Sequence, residues 1–251
     1  MLRVEAPSFA PAVGGLLSVA NVITGTDAHF TYDGITYVAP LGGPAKVVPA
    51  PGTDKVFDRA NEEIITSPPF RIYRGVETSL FQKADTTGLV TDLFGAGASY
   101  AVEQAIQTSV LNPEAVDRTP TAGTAVPVKE ALAILEQYAG ENYAGLPLFH
   151  VNRYGAVGIL TDSAEREGDV IKTKQGSPVA NGAGYGPAGP GGATAVAGTF
   201  WLYVSGQVNI WQGPDTIVEA PDLKANSNLA LFERTYVSTV ERFVAAVLAK
   251  L

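Results

Sequence analysis

The chain has 251 residues, of which 46% are hydrophobic and only 17% charged, and 17 Lys+Arg against 25 Asp+Glu give a net charge of −8. That length and balance support a sizeable core in one large domain or two intimately joined ones, and they exclude a disordered polypeptide. No basic run follows a phosphate backbone and cysteine is absent, so sequence-specific DNA binding, a disulfide framework, a thiolate metal site and a Cys nucleophile are excluded too.

A low charged fraction leaves little to solvate a full monomer surface, a hint that copies of the chain cover part of one another. Residues 1–12 carry Glu5 and prolines where a signal peptide would have an apolar core. The apolar stretch 13–23 contains Gly14, Gly15 and Asn21 and is too short to span a bilayer, so the expectation is a soluble protein with no membrane partner.

In chain order, Pro7, Pro11, Gly14 and Gly15 predict an extended arm, since proline fixes φ and has no amide to donate. HFTYDGITYV alternates around Asp33-Gly34, which predicts a hairpin whose turn needs positive φ. Residues 39–69 hold six prolines and three glycines among short β-prone pieces such as Lys46-Val47-Val48 and Lys55-Val56-Phe57. So long a stretch without a packed element predicts a loop or ribbon projecting from the body, followed by a returning strand over 70–81.

The first long helix is predicted over 87–110. Leu89, Leu93, Tyr100 and Ala101 share one face, with Val102, Ile106 and Val110 on a neighbouring stripe, and Asn112-Pro113 is expected to stop it. Gly95-Ala96-Gly97-Ala98 lowers helix stability, so close approach by another element is the expected compensation. Pro127 opens a second helix with Val128, Leu132, Leu135 and Tyr138 at helical spacing. GLPLFHV then reads as a buried strand and 153–161 as a short helix. Strands 170–174 and 177–180 flank a Gln-Gly turn. NGAGYGPAGPGG reads as a mobile surface loop, and TFWLYVSGQVNIWQG as a strand with a bulge at Gly206. The closing segment reads as a strand from Leu231, with either a strand or a helix beyond about Ser238.

Chemistry-bearing patterns are sparse. A hydrolase reading would use His150 with Asp162 and Ser163, but no G-x-S-x-G elbow presents a serine, and a lone His at a strand end is more often a hydrogen-bonded structural residue. His29 and His150 lie too far apart to give local metal-ligand spacing. Gly184, Gly186 and Gly189 satisfy G-x-G-x-x-G, yet Pro187 and Pro190 prevent the helix that a phosphate site requires. Trp201, Tyr203 and Trp211 would share one side of a continuous strand, and without basic neighbours they are expected to pack in the core or an interface. The expectation is a protein that is not an enzyme, with no cofactor and no metal.

The order of these elements resembles the Hong Kong 97 fold of tailed-phage capsids. LFGAGASYAVEQAIQTSVLNPE, with its aliphatic-Glu pair Val102-Glu103, is similar to the spine helix of capsid proteins from phages of actinobacteria. PVKEALAILEQYAGENYAGLPLFHVNRYGAVGIL is similar to the entry into their axial domain. GSPVANGAGYGP followed by GTFWLYVSGQVNIWQG resembles the axial loop and returning strand, and NLALFERTYVSTVERF the closing segment. The similarity covers roughly residues 88–251, and the order of the pieces is what makes it specific.

The resemblance implies an α+β major capsid protein with an N-terminal arm (1–27) and an extended loop (28–69). It implies a peripheral domain (70–126 and 214–251) with the spine helix, and an axial domain (127–213). It further implies hexamers and pentamers closing an icosahedral virion head around double-stranded DNA, assembled in the host bacterial cytoplasm. Partners would be sister copies, a portal, decoration proteins and a separate scaffolding protein, because the long helical scaffolding region of many relatives is missing here. Candidate inter-subunit contacts are Tyr37, Lys46, Lys55, Phe57 and Arg59 in the loop, and Tyr185. Some relatives form lysine–asparagine crosslinks; Lys46 and Lys55 lie in the corresponding loop and Asn226 and Asn228 late in the chain, and no motif matches there. Encapsulin shells share the fold but begin with an inner helix, where this chain has prolines.

Overall fold

The computed structural model describes residues 13–25, 29–38, 64–80, 85–241 and 243–251. The first elements are α1 (Leu16–Val19), β1 (Asn21–Thr24), α2 (Phe30–Asp33), β2 (Ile35–Val38), β3 (Ile64–Ser67) and β4 (Phe70–Ser79). Helix α3 (Thr86–Ile106) runs through a π-helical turn, Gln107–Leu111, into α4 (Asn112–Glu114). Short strands β5 (Val116–Asp117) and β6 (Val126–Pro127) precede α5 (Val128–Asn142), β7 (Leu148–Asn152) and α6 (Arg153–Asp162). Strands β8 (Ala164–Glu167), β9 (Val170–Thr173), β10 (Pro178–Gly182), β11 (Thr199–Ser205), β12 (Val208–Asp222), β13 (Ser227–Val240) and β14 (Val244–Lys250) complete the chain.

Among the described residues the strands form three sheets. One has the order β1-β12-β13-β4, a second runs β5-β14-β11-β7-β10-β9-β8 with β6 also on β14, and β2 pairs β3 alone. On the first sheet lies α3. Its Val90, Phe94, Ala98, Val102 and Ile106 recur every four residues and bury against Ile72, Ile210, Phe232 and Tyr236. Phe94 stacks on Phe232 at 4.2 Å, and the Arg234 guanidinium lies over the Phe94 ring. Helix α5 buries Ala131, Leu132, Leu135 and Ala139 against the second sheet, in a core that includes Phe149, Val151, Leu202 and Val247.

Strands β11 and β14 are buried on both faces. Trp201, Tyr203, Val244, Ala246 and Leu248 enter the core under α3, while Phe200, Leu202, Val204, Ala245, Val247 and Ala249 enter the core under α5. A strand covered on both sides reads as an unbroken apolar run, which settles the ambiguous C-terminal segment as strand and not helix. It also places residues 244–250 in the sheet of the 127–213 region, paired with β11 from Thr199↔Lys250 to Ser205↔Val244, and not with the rest of 214–251.

Several expectations need correction. Asp33-Gly34 is not a hairpin turn: α2 ends there, Gly34 takes φ 78, and β2 pairs instead with the distant β3 from Ile35↔Ser67 to Val38↔Ile64. The requirement for positive φ held, but a C-terminal helix cap satisfies it as well as a hairpin does. Residues 13–24, expected within a projecting arm, are docked: Leu16 is fully buried and β1 pairs β12 in parallel. Asn112-Pro113 does not stop the long helix, because the π-helical turn resets the hydrogen-bond register and places Pro113 in the first turn of α4. Gly95 and Gly97 have nothing within 4 Å of where a Cβ would stand, so no element among the described residues approaches them. The strand containing Trp201 is interrupted before β12, and Trp211 is half-buried opposite Val237, apart from Trp201 and Tyr203.

Candidate functional site

The most polar part of the interior joins α3 to the glycine loop and to the first described residues. Glu103 is 1% exposed. Its carboxylate accepts from the backbone N–H of Leu16 at 3.0 Å, the backbone N–H of Gly184 at 2.9 Å and the Ser99 hydroxyl at 2.9 Å. One turn on, Gln107 accepts from the Gly186 N–H at 2.6 Å and donates to the carbonyls of Gly186 and Ala188. These bonds need the backbone to come very near the helix. A Cβ at Gly182 would stand 2.0 Å from the Glu103 carboxylate, and one at Gly184 would stand 2.1 Å from the Tyr100 carbonyl. The loop expected to be a mobile surface segment is therefore pinned, with Gly184, Tyr185 and Gly189 buried.

His150 sits deeper, fully buried on β7. Its Nε2 is 2.8 Å from the Ser205 hydroxyl and its Nδ1 is 3.0 Å from the Tyr185 hydroxyl. Ser205 donates its one proton to the Gly206 carbonyl at 2.8 Å, so Nε2 carries the imidazole proton and Nδ1 accepts from Tyr185. Burial lowers the His150 pKa to about 3, keeping the ring neutral. Burial, with the nearby Glu103 charge, holds the Tyr185 phenol well above its usual value, so it remains a donor.

This arrangement is not a hydrolytic site. The partners of His150 are Tyr185 and Ser205, not Ser163, whose backbone N–H caps α6 on the Ile159 carbonyl. A base held neutral by burial, with both nitrogens committed and no solvent access, organises a core. Tyr185, expected at a contact between subunits, is 4% exposed and belongs to the same network, so its side chain is not offered to a neighbour. Among the described residues, no group of three His, Cys, Asp or Glu is placed to hold a metal ion, and no helix is long and apolar enough to cross a membrane.

Of the other candidate contacts, only Tyr37, on β2, falls within the described residues. Tyr37 is half-buried and donates to the Val240 carbonyl at 3.1 Å, tying the base of the loop to β13. Ser67 donates to the Ser238 carbonyl beside it. Lys46, Lys55, Phe57 and Arg59 lie outside the described residues. Of the asparagines considered for crosslinks, Asn226 has φ 56 in the turn between β12 and β13, and Asn228 pairs with Pro221 and Thr78 inside the sheet.

Sequence reasoning noticed the pair Val102-Glu103 but assigned Glu103 no partner, and it missed Gln107 and Ser205. The available signal was a carboxylate on the buried stripe of α3 alongside Val102 and Ile106. A buried carboxylate requires donors, and the glycine loop is where the chain can bring backbone N–H groups that close.

No family model and no curated protein matches the sequence. Solved structures do match over nearly the whole chain. The capsid of a native GTA particle superposes with a TM-score of 0.60 over 100% of this chain and 95% of that one, at 13% identity. A structure of Microbacterium phage Oxtober96 gives 0.58 over 98% and 95% at 10% identity. The holo-SrpI encapsulin complex from Synechococcus elongatus PCC 7942 gives 0.56 over 97% and 91% at 10% identity. With its long helix on a four-stranded sheet and a second sheet packed on two further helices, the chain has the Hong Kong 97 capsid fold.

Proposed function

We propose that the chain is the major capsid protein of a tailed bacteriophage, assembling into hexamers and pentamers of an icosahedral head around double-stranded DNA. The observation that carries this is the match in fold to the native GTA capsid over the whole chain, at a TM-score of 0.60. The four-stranded sheet with α3 would be the peripheral domain and the larger sheet with α5 and α6 the axial domain. Residues 39–63, between the paired strands β2 and β3, would reach over a neighbouring copy, and residues 1–12 would belong to the arm. The role is structural, without catalysis: buried overlap between copies supplies cohesion, and one subunit must tolerate slightly different neighbour angles. Portal, decoration proteins, a separate scaffolding protein and packaged DNA, held without sequence preference, are the proposed partners. The virion is the proposed location, after assembly in the host cytoplasm.

Mass photometry and negative-stain microscopy test this on the recombinant chain, expressed alone and with the phage's scaffolding protein. Closed shells of megadalton mass are expected in at least one condition. Only the 26.2 kDa species in both would contradict the reading. The second reading, an encapsulin-type shell, is favoured by the 0.56 TM-score to the holo-SrpI complex. Particles that enclose a protein cargo and no DNA would select it.

A further inference from the structure

Strand β12 pairs β13 on one side, but on its other side β1 covers only Asn209 to Gln212. Beyond Gln212 no strand among the described residues lies along that side. Residues 214–221 are all exposed, with Ile217 at 41% and Val218 at 52%. The open edge is therefore Asp215-Thr216-Ile217-Val218-Glu219-Ala220, bracketed by Pro214 and Pro221, which have no N–H to donate. Unpaired backbone groups beside apolar side chains are a template for another strand.

The two faces of this edge differ. Towards α3, Ile217 pairs with Phe232, and Glu219 accepts from the Thr87 hydroxyl. On the opposite face, Val218, Ala220, Leu229 and Leu231 line a shallow hollow of about 390 Å³ that reaches Gly75 and Glu77 on β4. Asp215 and Glu219 stand four residues apart, hence on one face, and β12 carries no Lys or Arg. Between β2 and β3, Lys55-Val56-Phe57-Asp58-Arg59 has the same spacing with the opposite sign. Laid antiparallel, Lys55 faces Glu219, Arg59 faces Asp215, Phe57 faces Ile217, and Val56 faces Val218 beside the hollow. A parallel strand matches the charges equally but sets Asp58 against Val218. The other β-prone piece, Lys46-Val47-Val48, carries one charge and stops at Pro49.

We propose that residues 55–59 of a second copy add to this edge of β12 as an antiparallel strand, with Lys55 opposite Glu219. The proposal rests on the shell reading, in which residues 39–63 reach a neighbour, and it names the surface they meet. The occupant is a second copy because residues 214–221 stay exposed within one chain. Asp215 already holds Arg234 at 2.5 Å, so the Lys55–Glu219 pair is the one that selects the register.

The chain has no cysteine, so an introduced disulfide reports the register. Full-length Val56→Cys/Val218→Cys, assembled like wild type and then oxidised, should run as a ladder of covalent multimers on a non-reducing gel. Val56→Cys/Thr216→Cys, the parallel register, should crosslink about tenfold less, because diagonal strand positions lie too far apart to bridge. Particles of the first variant with no crosslink, or with crosslinks only inside one chain, would overturn the pairing and leave the shell reading standing. Charge exchange needs no cysteine and decides the matter if that variant fails to assemble. Lys55→Glu should lower particle yield about fivefold, and adding Glu219→Lys should restore it. A double variant no better than the single one would also overturn the pairing, whereas a wild type that forms no particles would overturn both readings.

Discussion

The backbone N–H of Leu16 donates to Glu103 across 87 residues of chain, at 3.0 Å. That bond ties the N-terminal segment at α1 to the long helix α3. Replacing Glu103 by Ala removes the acceptor for two buried N–H groups, so a loss of about 2–5 kcal/mol is expected from urea unfolding. Glu103→Gln keeps one acceptor oxygen and should cost about half as much. The alanine variant should also become susceptible to proteolysis near residue 20, where the wild type resists.

The glycines divide into two kinds with opposite expected responses. Gly95 and Gly97 are helical and open on the outside, so Ala at either should stabilise the isolated subunit by about 0.5–1 kcal/mol. Gly182 and Gly184 meet the Glu103 carboxylate and the Tyr100 carbonyl, and Ala there should cost about 2 kcal/mol or more, or yield insoluble protein. Thermal midpoints of the four single variants decide the matter, and equal shifts for all four would refute the close packing of the loop.

His150 makes stability depend on pH in a defined direction. Its folded pKa, about 3, lies below the unfolded value of 6.5, so its contribution is complete above pH 6.5 and falls as the pH drops towards 3. Between pH 7 and pH 5 this one residue should remove about 2 kcal/mol. His150→Phe lowers stability at neutral pH by taking away the acceptor of the buried Tyr185 hydroxyl, yet its urea midpoint should change less between pH 7 and pH 5 than that of the wild type.

Deleting residues 40–60 leaves residue 39 and residues 61–63 to join β2 to β3, enough for a four-residue hairpin connection. The shortened chain should keep the wild-type circular dichroism spectrum and unfolding midpoint but form no shells. Intact shells from this deletion would remove the proposed role of the loop.

Where one residue pattern permits one physical outcome, the sequence was readable. The spacing of Leu132 and Leu135 could only bury as a helix, and Gln175-Gly176 sits between β9 and β10 with Gly176 at φ 92. Legibility failed where distant partners decided. Asp33-Gly34 signalled positive φ but not which turn would use it. The apolar run 243–249 fits a strand or a helix until β11 and β5 are known to flank it. The polar centre was the least legible part: Glu103, Gln107, His150 and Tyr185 come from three separate stretches, and no local spacing joins them.

A cryo-electron microscopy reconstruction of the assembled particle tests the central claim most directly. The expected map shows rings of five and six copies, with residues 39–63 of each copy lying on the body of the next. A map, or a solution structure, in which 39–63 packs onto its own β2–β3 body and no copy touches another through it would contradict the claim.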